Sequence, residues 1–85
     1  LNLSKMPKVL IVEDDVRLAR VIDDWLTGES YAVDHVTSGP AALERLTSNQ
    51  YDVLILDWQV PGLTGLEVCK EYRANGGTGV VLMLT

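Results

Sequence analysis

Four carboxylates stand where the sequence could do chemistry. Glu13, Asp14 and Asp15 come directly after the apolar run at residues 9–12, and Asp57 directly after a second such run at 53–56. If the two runs are neighbouring strands, Glu13, Asp14 and Asp57 meet at one end of a sheet. Three carboxylates within a few ångströms of one another cannot all stay ionised without a counter-charge. A divalent cation with a preference for oxygen meets that need. Mg2+ takes one or two carboxylates, waters and a substrate phosphate rather than a full protein cage. A plainer role is open to the same side chains, because acids at the start of a helix cap its first N–H groups and suit its dipole. We assign the plainer role to Asp15. We assign the site role to Asp14, which would face Asp57.

These residues need elements to position them. Both runs are apolar and rich in β-branched residues, the pattern of strands buried on two faces of a parallel sheet. Residues 16–26 carry a helical stripe of Leu18, Ile22, Trp25 and Leu26, with Gly28 as the stop. Residues 31–36 read as a half-buried strand. Ser38, Gly39 and Pro40 open a second helix, where proline's missing N–H costs little. Ala42, Leu43 and Leu46 form its apolar face, and Ser48, Asn49 and Gln50 break it. Residues 58–64 form a turn-rich loop with Pro61 and Gly62. Thr64 and Glu67 fit a capping box. Leu66, Cys69 and Tyr72 continue at helical spacing until Asn75, Gly76 and Gly77, and residues 79–85 form a fourth strand. The order βαβαβαβ predicts a parallel sheet with right-handed crossovers and helices on both faces. Ligands of such sheets bind beyond the carboxyl ends of the strands. Glu13, Asp14, Asp57 and Thr85 all fall there.

Composition narrows the function classes. The 85 residues allow one small domain. With 47% hydrophobic and 22% charged residues, the chain is too apolar for a disordered one. A net charge of −5 argues against direct binding of nucleic acid by this segment. One cysteine excludes an internal disulfide framework and points to the cytoplasm. No apolar run reaches the roughly 18 residues of a membrane span. Residues 1–7 read as a flexible lead without the features of a signal peptide. The remaining singular residues have bland readings. Cys69 is a small core hydrophobe and Trp25 a core anchor. His35 lies in the second strand away from the carboxylate edge, Asp34 and Asp52 are solvated charges, and Trp58 flanks the site.

Residues 9–15, 52–65 and 81–85 resemble, in order, the three signature segments of two-component response-regulator receiver domains. The resemblance runs from Lys8 to Thr85 and implies a flavodoxin-like doubly wound α/β fold. It implies that Asp57 accepts a phosphoryl group from a phosphohistidine on a sensor histidine kinase or phosphotransfer protein. It implies further that Asp14 binds Mg2+ directly, that Glu13 acts through water, and that the Gln59 backbone carbonyl is a third contact. Thr85 matches the family's switch hydroxyl. Such a domain is a signalling phosphoacceptor rather than an enzyme, although it assists its own phosphotransfer and dephosphorylation.

The family has five strands and five helices, with a functional lysine ending the fifth strand. No lysine here takes that place, and Lys70 lies in the third helix. We therefore expect residues 8–85 to be a receiver truncated after its fourth strand. That strand would then be an uncovered edge through which the chain self-associates. The alternative is a receiver-fold fragment acting only as an interaction or self-associating module, with phosphorylation lost through truncation; the retained Glu13, Asp14 and Asp57 disfavour it. A haloacid-dehalogenase-type phosphatase would need a second acid where Gln59 stands. A nucleotide-binding domain would need a glycine-rich loop where Glu13, Asp14 and Asp15 stand.

Overall fold

The two fully apolar runs become the centre of the sheet. A computed structural model describes residues 6–84. It contains β1 (Lys8–Val12), α1 (Val16–Gly28), β2 (Ala32–Val36), α2 (Gly39–Ser48), β3 (Val53–Asp57), α3 (Gly65–Ala74) and β4 (Val80–Leu84). The strands are all parallel, in the order β2-β1-β3-β4. Val9 to Val12 of β1 pair in register with Val53 to Leu56 of β3, so the residues after each strand emerge side by side. Residues 1–5 of the expected lead and Thr85 lie outside the described residues.

Alternation along the central strands feeds two cores, because successive side chains point to opposite faces. Leu10, Val12, Leu54 and Leu56 pack with Ala42, Val68 and Tyr72 under α2 and α3. Val9, Ile11 and Ile55 pack with Ala19 of α1 on the other face. The helices start where the sequence predicts. Asp15 caps α1, its carboxylate accepting from the Arg17 and Leu18 amides at 3.0 and 3.2 Å. Ser38 caps α2, and Thr64 with Glu67 forms the capping box of α3. Among the described residues no helix is long and apolar enough to cross a membrane.

Several expectations need correction. The buried stripe of α1 is Ala19, with Ile22 and Leu26 packed beside it. Leu18 and Trp25 point away, and Trp25 is 75% exposed, so it is no core anchor. Ala19, 1% exposed, is the α1 residue that packs with Val9, Ile11 and Ile55. Gly28 is the last residue of α1 rather than its stop, and Ser30, at φ 69°, makes the left-handed turn instead. In α3 the buried face is Gly65, Val68 and Tyr72, with Cys69 half-buried beside it and Leu66 exposed.

Asp34 and Asp52 also have partners on the chain. Asp34 accepts from the Tyr51 hydroxyl at 2.6 Å and pairs with Arg45 at 3.1 Å. Asp52 accepts from the Lys8 amide at 2.7 Å.

Candidate functional site

The acidic residues sit at the carboxyl ends of the two central strands. Glu13 and Asp14 begin the turn from β1 into α1, and Asp57 is the last residue of β3. One carboxylate oxygen from each of Glu13, Asp14 and Asp57 lies within 4.8 Å of the others. Asp14 is exposed, Asp57 half-buried and Glu13 buried. An open depression beside them is lined by Asp14, Asp57, Trp58 and Gln59.

The backbone that carries these groups is tightly held. The Glu13 amide donates to the Val36 carbonyl at 3.1 Å. A Glu13 carboxylate oxygen accepts from the Asp15 amide at 3.0 Å. Past β3, the Trp58 amide donates to the Leu84 carbonyl at 3.1 Å, tying the loop after Asp57 to β4. The Gly65 amide donates to the Trp58 carbonyl at 2.8 Å, and Gln59 bridges Thr64. Glycine at 65 is needed, because a Cβ there would strike the Asp57 carbonyl oxygen. Gly62, at φ 89°, turns the loop against Pro40.

Burial pushes the Glu13 carboxyl above its ordinary value. The Asp15 amide opposes the shift, and the neighbouring Asp57 charge adds to it. Among the described residues the one salt bridge is Arg45 with Asp34, away from this cluster. The cluster therefore gathers three hard carboxylate oxygens with no cationic side chain paired to them among the described residues, a setting that fits a hard divalent ion such as Mg2+.

His35 stands closer than its sequence position implied. Its Nε2 lies 2.7 Å from the Glu13 backbone carbonyl oxygen, at the carboxylate edge rather than away from it. The pairing of β1 with β2 sets His35 beside Ile11, two residues before Glu13. That register is a tertiary fact, and local sequence carries no signal for it. Thr85 lies outside the described residues.

A parallel sheet covered on both faces, with acids gathered at its carboxyl edge, defines the flavodoxin-like doubly wound class, here with four strands among the described residues. The model of the response regulator receiver domain matches residues 9–85, and the chain belongs to that family. It is 42% identical over 78 residues to the response regulator ArlR of Staphylococcus saprophyticus, covering 92% of this chain and 36% of that one. It is also 42% identical over 80 residues to the response regulator RppA of Synechocystis, covering 92% and 34%. The chain thus spans about a third of the length of these curated relatives.

Solved structures agree. A CheY-like receiver domain from Methylobacillus flagellatus superposes with a TM-score of 0.87 at 28% identity, covering 93% of this chain and 69% of that one. The response regulator TrrA of Thermotoga maritima, solved in complex with Mg(2+)-BeF, superposes with a TM-score of 0.83 at 32% identity, covering 92% and 70%.

Proposed function

We propose that this receiver domain accepts a phosphoryl group on Asp57 from a phosphohistidine of a sensor histidine kinase or phosphotransfer protein. The observation that carries the proposal is the convergence of the Glu13, Asp14 and Asp57 carboxylates at one sheet edge. The Mg(2+)-BeF complex of TrrA supports it by relation.

Asp14, Asp57 and the Gln59 carbonyl would hold Mg2+, with Glu13 acting through water. When bound, the ion offsets the negative charge of the phosphoryl oxygens. An Asp57 carboxylate oxygen attacks phosphorus, the P–N bond breaks, and the imidazole leaves with its electron pair. The half-buried position of Asp57 leaves the open depression as the donor's approach. Buried Glu13 leaves that path clear.

Incubation with a phosphorylated histidine kinase or acetyl phosphate tests the assignment. One phosphoryl group should appear by intact mass, be labile to hydroxylamine, and vanish in Asp57→Asn. Equal modification of Asp57→Asn would show that another residue is the acceptor.

One observation favours a second reading, a self-associating module. Within the described sheet β4 is an edge strand, and Val80 and Leu82 are 58% and 51% exposed. Exposed apolar edges invite pairing with another chain. Sedimentation velocity on the 85-residue chain should then show a concentration-dependent dimer that a Leu82→Lys variant loses. A monomer at all concentrations would remove this reading.

A further inference from the structure

We propose that His35 is a positioning residue for the acidic cluster, its Nε2–H holding the Glu13 carbonyl and with it the turn that carries Glu13 and Asp14. The inference rests on the Mg2+ reading of that cluster. A carbonyl oxygen can only accept, so the 2.7 Å contact requires the proton on Nε2.

Chain geometry explains why such a donor is needed. Ladder pairing of β1 with both neighbours ends at Val12. Hydrogen bonding of α1 begins with the Asp15 carbonyl, which accepts from Ala19 at 3.0 Å. The Glu13 carbonyl falls between the two and belongs to neither. A partly buried carbonyl left without a donor is costly. His35 supplies the donor from β2, across 22 residues of sequence.

The Glu13 amide is already held by Val36, the neighbour of His35, at 3.1 Å. The end of β2 therefore holds the Glu13 backbone at both its N–H and its C=O. With the backbone fixed at this residue, the Glu13 and Asp14 side chains leave the turn in set directions toward Asp57. Partners one step removed from a metal commonly act in this way, by orienting the groups that touch it.

The test compares wild type, His35→Leu and His35→Gln, titrated with Mg2+ alone and followed through the amide NMR signals of Asp14 and Asp57. Thermal midpoints are recorded beside the titrations. His35→Leu should bind Mg2+ about 10-fold more weakly. His35→Gln, which keeps an N–H donor, should recover most of that loss. A purely structural role would lower the thermal midpoint of His35→Leu and leave the Mg2+ affinity of the folded protein unchanged, and that result overturns the inference. So does a glutamine variant as weak as the leucine one.

Imidazole 15N shifts of the wild type give a reading that needs no variant. A proton on Nε2 is expected, and a neutral ring protonated only on Nδ1 overturns the inference even if His35→Leu fails to fold. No Mg2+ response in wild type would instead overturn the metal reading itself, and the inference with it.

Discussion

Gly65→Ala sets two physical effects against each other, and the structure decides the sign. In a helix, alanine is favoured over glycine by up to about 1 kcal/mol. Gly65 is the first residue of α3 and has no positive φ to lose. Propensity alone therefore predicts stabilisation. Yet a Cβ at 65 would strike the Asp57 carbonyl oxygen and would lie 2.9 Å from the Met83 Cε. The methionine tip can swing away, but the Asp57 carbonyl is backbone at the end of a central strand. Overpacking of this kind costs about 1–3 kcal/mol. We expect Gly65→Ala to be destabilised by about 1–2 kcal/mol net.

Gly28→Ala is the control. It too is helical, and a Cβ there meets nothing within 4 Å. It should gain about 0.4–1 kcal/mol. Urea unfolding followed by far-UV circular dichroism measures both variants. The clash moves the Asp57 peptide, so under the proposed function Gly65→Ala should also slow phosphorylation of Asp57 while Gly28→Ala leaves it unchanged. A Gly65→Ala protein stabilised like Gly28→Ala would refute the steric reasoning.

Three further variants concern stability. Tyr51→Phe removes the hydroxyl that donates to Asp34, and should cost about 1–2 kcal/mol in urea unfolding. Burial, then Asp34, pushes the Tyr51 hydroxyl up to about 12 from 10.0. The folded state therefore keeps its proton longer than the unfolded one. This contribution is full below pH 10 and is lost as pH rises toward 12, a slope that Tyr51→Phe should flatten. Thr64→Ala breaks the capping box and should cost about 0.5–2 kcal/mol. The bond from the Thr64 amide holds the Glu67 carboxyl below its ordinary value. The Glu67 contribution is therefore present above pH 4.5 and lost as pH falls through the lowered value, and Glu67→Gln should remove that acid-side slope.

What could be read from sequence follows from what is local. β1 and β3 were legible because strands buried on both faces leave unbroken apolar runs. The meeting of Glu13, Asp14 and Asp57 followed, since each comes at the end of such a run. Caps were legible because Asp15, Ser38 and Thr64 act within three residues of themselves. Helix faces were harder. Periodicity marks a stripe but does not say which of two adjacent stripes faces inward. Weight given to large Leu18 and Trp25 hid the role of small Ala19. Leu66 likewise masked Val68 in α3. The contacts of His35 with Glu13 and of Tyr51 with Asp34 span 22 and 17 residues and depend on strand register, which no local pattern specifies.

The central proposal is that Asp14 and Asp57, the proposed acceptor, share one Mg2+. Trp58 lines the same depression, so its fluorescence reports on the site once Trp25, the other tryptophan, is replaced by phenylalanine. Titration with MgCl2 at constant ionic strength should give a saturable change that Asp14→Asn weakens strongly and Asp57→Asn also diminishes. A response identical in all three proteins, or none at all in the parent, would contradict the account.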